Sequence, residues 1–179
     1  MKKIITEYIP FEHDNLDLKN RLIQFARDQA KTNKPEGIMA AALIYGNVTD
    51  YIASNLIKTF RELIYWTSYY QFSGTLFQKM PDDKKLPKML GDMIKELENF
   101  EFPDHVEFIK CLRLFKDSRN NLFHRLFTLS EEKVKQADQD FVIIKEQAEL
   151  ILQKYNAISQ GIAKQWSSIL AGNQNKTDA

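Results

Sequence analysis

The sequence predicts an all-α protein, and three features of the chain support this expectation. Its 179 residues include only 6 Gly and 5 Pro, so the secondary-structure elements should be few and long. Hydrophobic residues make up 44% of the chain and charged residues 27%, a composition typical of a folded globular protein. Two long segments also repeat apolar residues with helical spacing. We therefore expect a bundle of about five helices, two of them long, at about 36–71 and 131–170.

The first predicted helix lies in the segment DNLDLKNRLIQFARDQAK, with Asp14 or Asn15 as its N-cap. The second should begin at Pro35, because proline suits the first position of a helix. Along the first helix, the apolar residues that keep helical spacing are Leu18, Leu22 and Phe25.

The two long helices carry heptad seams, in which apolar or small residues alternate steps of three and four as in packed bundles. The seam of the second helix contains Ile38, Ala42, Tyr45, Thr49, Ile52, Leu56, Thr59, Leu63, Trp66 and Tyr70. The seam of the last helix contains Val134, Ala137, Phe141, Ile144, Ala148, Ile151, Tyr155, Ile158 and Ile162.

Shorter helices are expected between the long ones. The segment LPKMLGDMIKELENF predicts a short helix interrupted by Gly91, and a further helix should run from about Asp104, its N-cap, to Phe127. Ser130 is a candidate cap for the last helix. Residues 1–170 are expected to form a single helical domain, and residues 171–179 a flexible polar tail.

Charge and cysteine usage narrow the function classes. The net charge of +1 does not indicate a general nucleic-acid or membrane binder, so any basic site would have to be local. A single cysteine, Cys111, excludes an internal disulfide and fits a reducing compartment. No apolar run is long enough for a signal peptide or a membrane-spanning helix. We therefore expect a cytoplasmic protein with no membrane partner.

The helix that ends at Phe127 has two distinct faces when its residues are placed at about 100° per residue. Arg119 falls inside the apolar stripe, where an arginine usually extends its charge to the surface or pairs with a carboxylate. The apolar stripe contains Phe108, Cys111, Leu112, Phe115, Leu122 and Leu126. The opposite, polar face contains Arg113, Asp117, Asn120 and His124, with Phe127 at its edge.

The polar face has an ordinary explanation and a functional one. His124 could be a solvated surface histidine, and Asn120 and Asn121 could mark the fraying of the helix, because asparagine is a poor helix former. Phe123 and Phe127, however, suggest that this face meets another protein surface. Five basic residues and one acid lie between Phe108 and Phe127, a balance that would suit phosphate.

The motif RNNLFH at 119–124 resembles the signature of the HEPN superfamily: an arginine, commonly an Asn, Asp or His directly after it, and a histidine after four to six intervening residues, late in a helix. The superfamily is an all-α bundle with two long helices, and the layout of this chain is similar from roughly 35 to 170. Many members are metal-independent endoribonucleases of toxin–antitoxin and defence systems, and their two-fold dimers bring both Arg/His pairs into one cleft.

The resemblance implies a role for each motif residue. His124 would be the general acid/base for attack of the ribose 2′-hydroxyl on the adjacent phosphate, because histidine titrates near neutrality. Arg119 would hold the phosphate and stabilise its developing charge, and Asn120 would orient the histidine or the ligand. Supporting residues would come from the first long helix, where Asp50 and Asn47 are the candidates, and from Arg113.

The resemblance also implies a homodimer that acts on RNA, with an antitoxin or a nucleotidyltransferase as a further partner. Some related toxins carry a tyrosine two residues after the histidine, which the nucleotidyltransferase modifies. This chain has Leu126 there, which argues against that route of control. No metal or other cofactor is expected, because the three histidines lack the spacing of metal ligands.

A second interpretation stays open. The chain could be a non-catalytic helical module that binds a nucleotide or a protein partner, as an inactive HEPN domain or a regulator of the mannitol-operon-repressor kind would. Arg119 and His124 would then be structural or ligand-holding residues.

Overall fold

The structure is a computed structural model that describes residues 16–32, 34–71, 86–127 and 131–174. Within these ranges every regular element is helical, which confirms the predicted all-α fold. The five helices are α1 (Leu16–Ala30), α2 (Pro35–Gln71), α3 (Leu90–Leu97), α4 (His105–Phe127) and α5 (Glu131–Gln174). No helix in the described ranges combines the length and hydrophobicity that a membrane crossing requires.

Polar contacts between helices establish how the bundle is arranged. Helix α4 runs antiparallel to α5, because Lys154 Nζ contacts Asp104 Oδ2 at 3.1 Å at one end and Arg125 Nε contacts Asp140 Oδ2 at 2.8 Å at the other. Helix α2 lies beside both α4 and α5, and the short α3 packs between α2 and α4.

The two predicted heptad seams are confirmed as the centre of the bundle. In α2, Ile38 and Leu63 are half-buried and the other described seam side chains are buried. In α5, Ile162 is half-buried and the seam from Ala137 to Ile158 is buried. The side chains of Tyr70 and Val134 lie outside the described residues. The apolar spacing of the long helices therefore predicted their packing correctly.

The apolar pattern of α1 was misleading. Leu18 and Phe25 are exposed, by 44% and 52%, and Leu22 is only half-buried. Ile23 and Ala26 supply the buried face instead.

A buried lysine explains the orientation of α1. Lys19 is 3% exposed, and its ammonium lies 4.0 Å from the centre of the Tyr155 ring, a cation–π contact. About two turns further along, Arg27 Nε contacts Glu149 Oε1 at 2.9 Å. These two contacts connect α1 to α5, whereas most of the packing of α1 is against α2. The inner face of α1 therefore contains polar side chains and differs from the face that its apolar spacing predicts.

Several helix boundaries also differ from the prediction. Gly91 lies in the first turn of α3, which begins at Leu90, so this glycine does not interrupt a longer helix. Asp104 precedes α4 as predicted, but its φ of 60° is left-handed and its carboxylate accepts a hydrogen bond from Lys154. Helix α5 continues to Gln174, past the expected start of the tail. The candidate caps at positions 14, 15 and 130, and the tail from 175 onward, lie outside the described residues.

Tyr45 is a buried polar residue of the α2 seam. Its side chain is fully buried, and its hydroxyl lies near the Glu149 carboxylate but makes no hydrogen bond of good geometry with the described residues. Burial and the negative charge of Glu149 raise the pKa of Tyr45 to about 12. A buried hydroxyl without a partner has lost its hydrogen bonds to water and lowers the stability of the fold.

Tyr45→Phe should therefore leave the free energy of unfolding at pH 7 unchanged or raise it by about 1 kcal/mol. The folded chain holds the Tyr45 proton more tightly than the unfolded chain, whose tyrosine has a pKa near 10. The contribution of this pKa difference to the free energy of unfolding is complete below pH 10 and is lost as the pH rises through about 12. Tyr45→Phe has no hydroxyl to titrate, so it should lose less stability than the wild type in that interval. Urea denaturation of both proteins, at pH 7 and through the interval in which the tyrosine ionises, measures the free energy of unfolding. A variant that is clearly less stable at pH 7 would contradict the assignment.

Candidate functional site at the C-terminal half of α4

The two faces predicted for α4 are present in the structure. The apolar stripe from Phe108 to Leu122 is buried and Leu126 is half-buried. The polar face is exposed at all four of its positions, Arg113, Asp117, Asn120 and His124. Phe123 is half-buried, and the side chain of Phe127 lies outside the described residues.

Arg119 crosses from α4 to α2 and pairs there with Asp50. Its Nη1 lies 3.3 Å from both carboxylate oxygens of Asp50, and the guanidinium carbon lies 5.9 Å from the centre of the Phe115 ring. The Arg119 side chain is 20% exposed and that of Asp50 is 35% exposed. The guanidinium is therefore held at the surface by a carboxylate and an aromatic ring, while Nε and Nη2 make no hydrogen bond with the described residues.

Gly46, one turn before Asp50, gives Arg119 the room to reach α2. A Cβ atom at position 46 would lie 3.3 Å from Arg119 Nη1, closer than Cβ atoms usually approach, and 3.5 Å from its Cδ, an ordinary contact distance. Sequence reasoning missed this residue. The available signal was a glycine in the interior of a long helix, where it lowers helix stability by about 1 kcal/mol relative to alanine and so calls for a packing reason.

The other supporting candidates lie apart from Arg119. Asn47 is exposed on α2, so of the two residues predicted from that helix only Asp50 contacts the arginine. Arg113 donates to Glu98 Oε1, just after α3, and therefore belongs to the opposite half of α4.

Arg119 and His124 leave α4 in different directions. Five positions along an α-helix correspond to a rotation of about 140° beyond one full turn. Arg119 consequently faces α2, whereas His124 is exposed on the outer face together with Asn120, one turn earlier. Within one chain, the structure brings Arg119 to Asp50 and places Asn120 and His124 side by side.

The positive charge predicted around the motif is largely offset in the folded protein. Each of the five basic residues lies within 4.0 Å of a carboxylate. Two of these acids belong to α4 itself, and three come from α2, from the end of α3 and from α5. The pairs are Lys110–Glu107, Arg113–Glu98, Lys116–Asp117, Arg119–Asp50 and Arg125–Asp140. The pairs of Lys110 and Lys116 are exposed and therefore weak, but those of Arg119 and Arg125 are partly buried.

Other kinds of site have less support. The described residues contain no group of three or more His, Cys, Asp or Glu that could hold a metal ion. Cys111 is buried, and burial raises the pKa of its thiol, which keeps it protonated and unreactive. An open groove of about 660 Å³ lies between α1, α2 and α5, lined by residues that include Ile38, Phe141 and Lys145, and no α4 residue lines it.

Comparison of the chain with protein families, with curated proteins and with solved structures finds no match.

Arg119→Ala should lower the free energy of unfolding by about 1 to 2 kcal/mol, because the partly buried Asp50 would lose its charged hydrogen-bond partner. Asp50→Ala should have a similar effect, and the double variant should be about 1 kcal/mol more stable than the sum of the single losses implies. Urea denaturation of the four proteins measures this coupling.

The matched control is the same cycle on Lys110 and Glu107, an exposed pair on the same helix. Its coupling should be close to zero. Additive effects at Arg119 and Asp50 would mean that their contact does not stabilise the fold.

Proposed function

We propose that this protein is a cytoplasmic, metal-independent endoribonuclease of the HEPN type, with Arg119 and His124 as its catalytic residues. The observation that carries the proposal is the state of Arg119. Its guanidinium is fixed on one side by Asp50 and Phe115, at the surface, in the half of α4 that also presents His124. An arginine oriented before the substrate binds can stabilise phosphate charge without reorganising during the reaction. A toxin or defence role, with an antitoxin as partner, rests on the resemblance alone.

In the proposed reaction, His124 takes the proton of the ribose 2′-hydroxyl. The 2′-oxygen attacks the adjacent phosphorus, the bond from phosphorus to the 5′-oxygen breaks, and that oxygen receives a proton from an imidazolium. The products are a 2′,3′-cyclic phosphate and a 5′-hydroxyl. Arg119 donates hydrogen bonds to the phosphate oxygens as their negative charge grows, and Asn120 orients the imidazole or the RNA.

The directions of the two catalytic side chains support a site shared between two copies of the chain. A rotation of about 140° separates Arg119 from His124 on α4, so one chain does not aim both at a single phosphate. In a two-fold dimer formed through this part of α4, Arg119 of one copy would act beside His124 of the other. The half-buried Phe123 and the polar residues around it would then form part of the interface.

A second candidate is a helical module that binds a partner or a nucleotide without cleaving RNA. The Asp50 contact favours it, because a carboxylate 3.3 Å from Arg119 offsets the charge that a phosphate would need. The two candidates differ in whether His124 is required for a chemical reaction, and RNA cleavage distinguishes them.

Light scattering coupled to size-exclusion chromatography should give a mass of about 42 kDa, twice that of the 21.0 kDa chain. A mass near 21 kDa at a protein concentration of roughly 50 µM would show that the chain is a monomer, and a site shared between two copies would then not exist.

The wild type should cleave labelled single-stranded RNA at the same rate with and without EDTA, because no metal activates the nucleophile. His124→Ala should lower this rate by at least about 100-fold, the smaller effect expected for loss of a general acid/base. Mass spectrometry should detect the 2′,3′-cyclic phosphate.

His105→Ala is the matched control. His105 lies at the other end of α4, with its ring against Phe102, so its loss should leave the rate unchanged. If the wild type cleaves none of several RNAs, or if His124→Ala cleaves as fast as the wild type, the binding module replaces the enzyme.

A further inference from the structure

Among the residues that the structure describes, Asp140 of α5 is the one acidic residue that is buried. It is 7% exposed, and the other buried charged residue in these ranges is Lys19 of α1. Removing a carboxylate from water is unfavourable unless a cation compensates for it, and an apolar residue of similar size would often stabilise the core as well or better. A buried acid at this position therefore calls for a reason other than stability.

The cation that faces Asp140 is Arg125, in the last turn of α4. Arg125 Nε lies 2.8 Å from Asp140 Oδ2, and Arg125 Nη1 donates to Gln136 Oε1, one turn earlier on α5. One guanidinium thus contacts two side chains of α5. Asp140 Oδ2 accepts no hydrogen bond among the described residues, so its contact with Arg125 is an ion pair, and the hydrogen bond to Gln136 supplies the direction. Together the two contacts hold Arg125 against α5.

Arg125 directly follows His124 in the sequence. The helix ends at Phe127, so both residues lie in its last turn, where the final carbonyl groups have no partner within the helix and the backbone tends to fray. Consecutive residues of a helix are separated by about 100°. When Arg125 is fixed against α5, His124 is consequently held on the outer face, where it is exposed.

We propose that Asp140 is a positioning residue for His124, acting through Arg125: it keeps the last turn of α4 folded and turned so that the imidazole faces the substrate. The catalytic meaning of this contact rests on the proposed ribonuclease function, whereas its mechanical effect on the turn does not.

The experiment compares Asp140→Ala with the wild type in two measurements on the full chain. Amide hydrogen exchange followed by NMR should show residues 124–127 exchanging about tenfold faster in the variant, with the buried part of α4 around Leu112 unchanged. On single-stranded RNA, kcat should fall by about tenfold with KM little changed, because the substrate still binds while the imidazole is misplaced more often.

Glu98→Gln is the matched control, because it weakens a different arginine contact of α4, that of Arg113, far from His124. It should change neither the exchange of the last turn nor kcat. Arg125→Lys serves as a second variant that keeps a cation beside Asp140 but loses the planar fork. It should reproduce the faster exchange and the lower kcat in weaker form, and it decides the question if Asp140→Ala does not fold.

Unchanged exchange of the last turn in both variants would overturn the proposal. So would a cleaving wild type whose kcat is unaffected by them. If the wild type cleaves no RNA while the variants still exchange faster in the last turn, the ribonuclease function fails and the positioning of His124 by Asp140 stands.

Discussion

The contact between Arg119 and Asp50 determines how the candidate site is built. An arginine within the apolar stripe of a core helix must either reach the surface or meet a carboxylate, and here it does both, because Asp50 is 35% exposed. The contact joins α4 to α2, and Gly46 lets the guanidinium lie close to the α2 backbone without a tight Cβ contact. The same interaction therefore links the two helices and orients Arg119.

This contact has two opposing consequences for function. It holds the guanidinium in one orientation, which favours the stabilisation of a transition state. It also supplies a negative charge that weakens the attraction between Arg119 and a phosphate. Nη1 makes both contacts to Asp50, so Nε and Nη2 are the donors that an anion would use. The enzyme is favoured if the fixed orientation of Arg119 has the larger effect, and the binding module is favoured if the offset of its charge by Asp50 does.

The fold could be predicted where apolar spacing alone determines packing. The seams of α2 and α5 are long and regular, so their buried positions follow from the period of the helix. Helix α1 could not be predicted in this way, because Lys19 and Arg27 contact residues of α5 that are distant in the sequence, while the helix packs mainly against α2.

Prediction of the candidate site is limited in the same way, because contacts between helices do not follow from spacing within one helix. The helical wheel placed Arg119 in the apolar stripe and His124 on the opposite face, whereas Asp50 and Asn47 were candidates only through the family resemblance, which did not distinguish between them. The acids that offset the basic run come mostly from other helices, as Glu98 and Asp140 do, so a count along one segment overestimated its positive charge. Spacing within a helix is local information, whereas charge compensation depends on tertiary contacts.

The central claim is that Arg119 of one chain acts with His124 of another, and a mixed dimer tests it most directly. Arg119→Ala and His124→Ala chains carrying different affinity tags can be co-expressed and the heterodimer isolated by both tags. Of its two shared sites, one would contain both intact residues and the other neither. The account predicts that each homodimer is inactive and that the heterodimer cleaves RNA at roughly half the wild-type rate. A heterodimer as inactive as the two homodimers would contradict it.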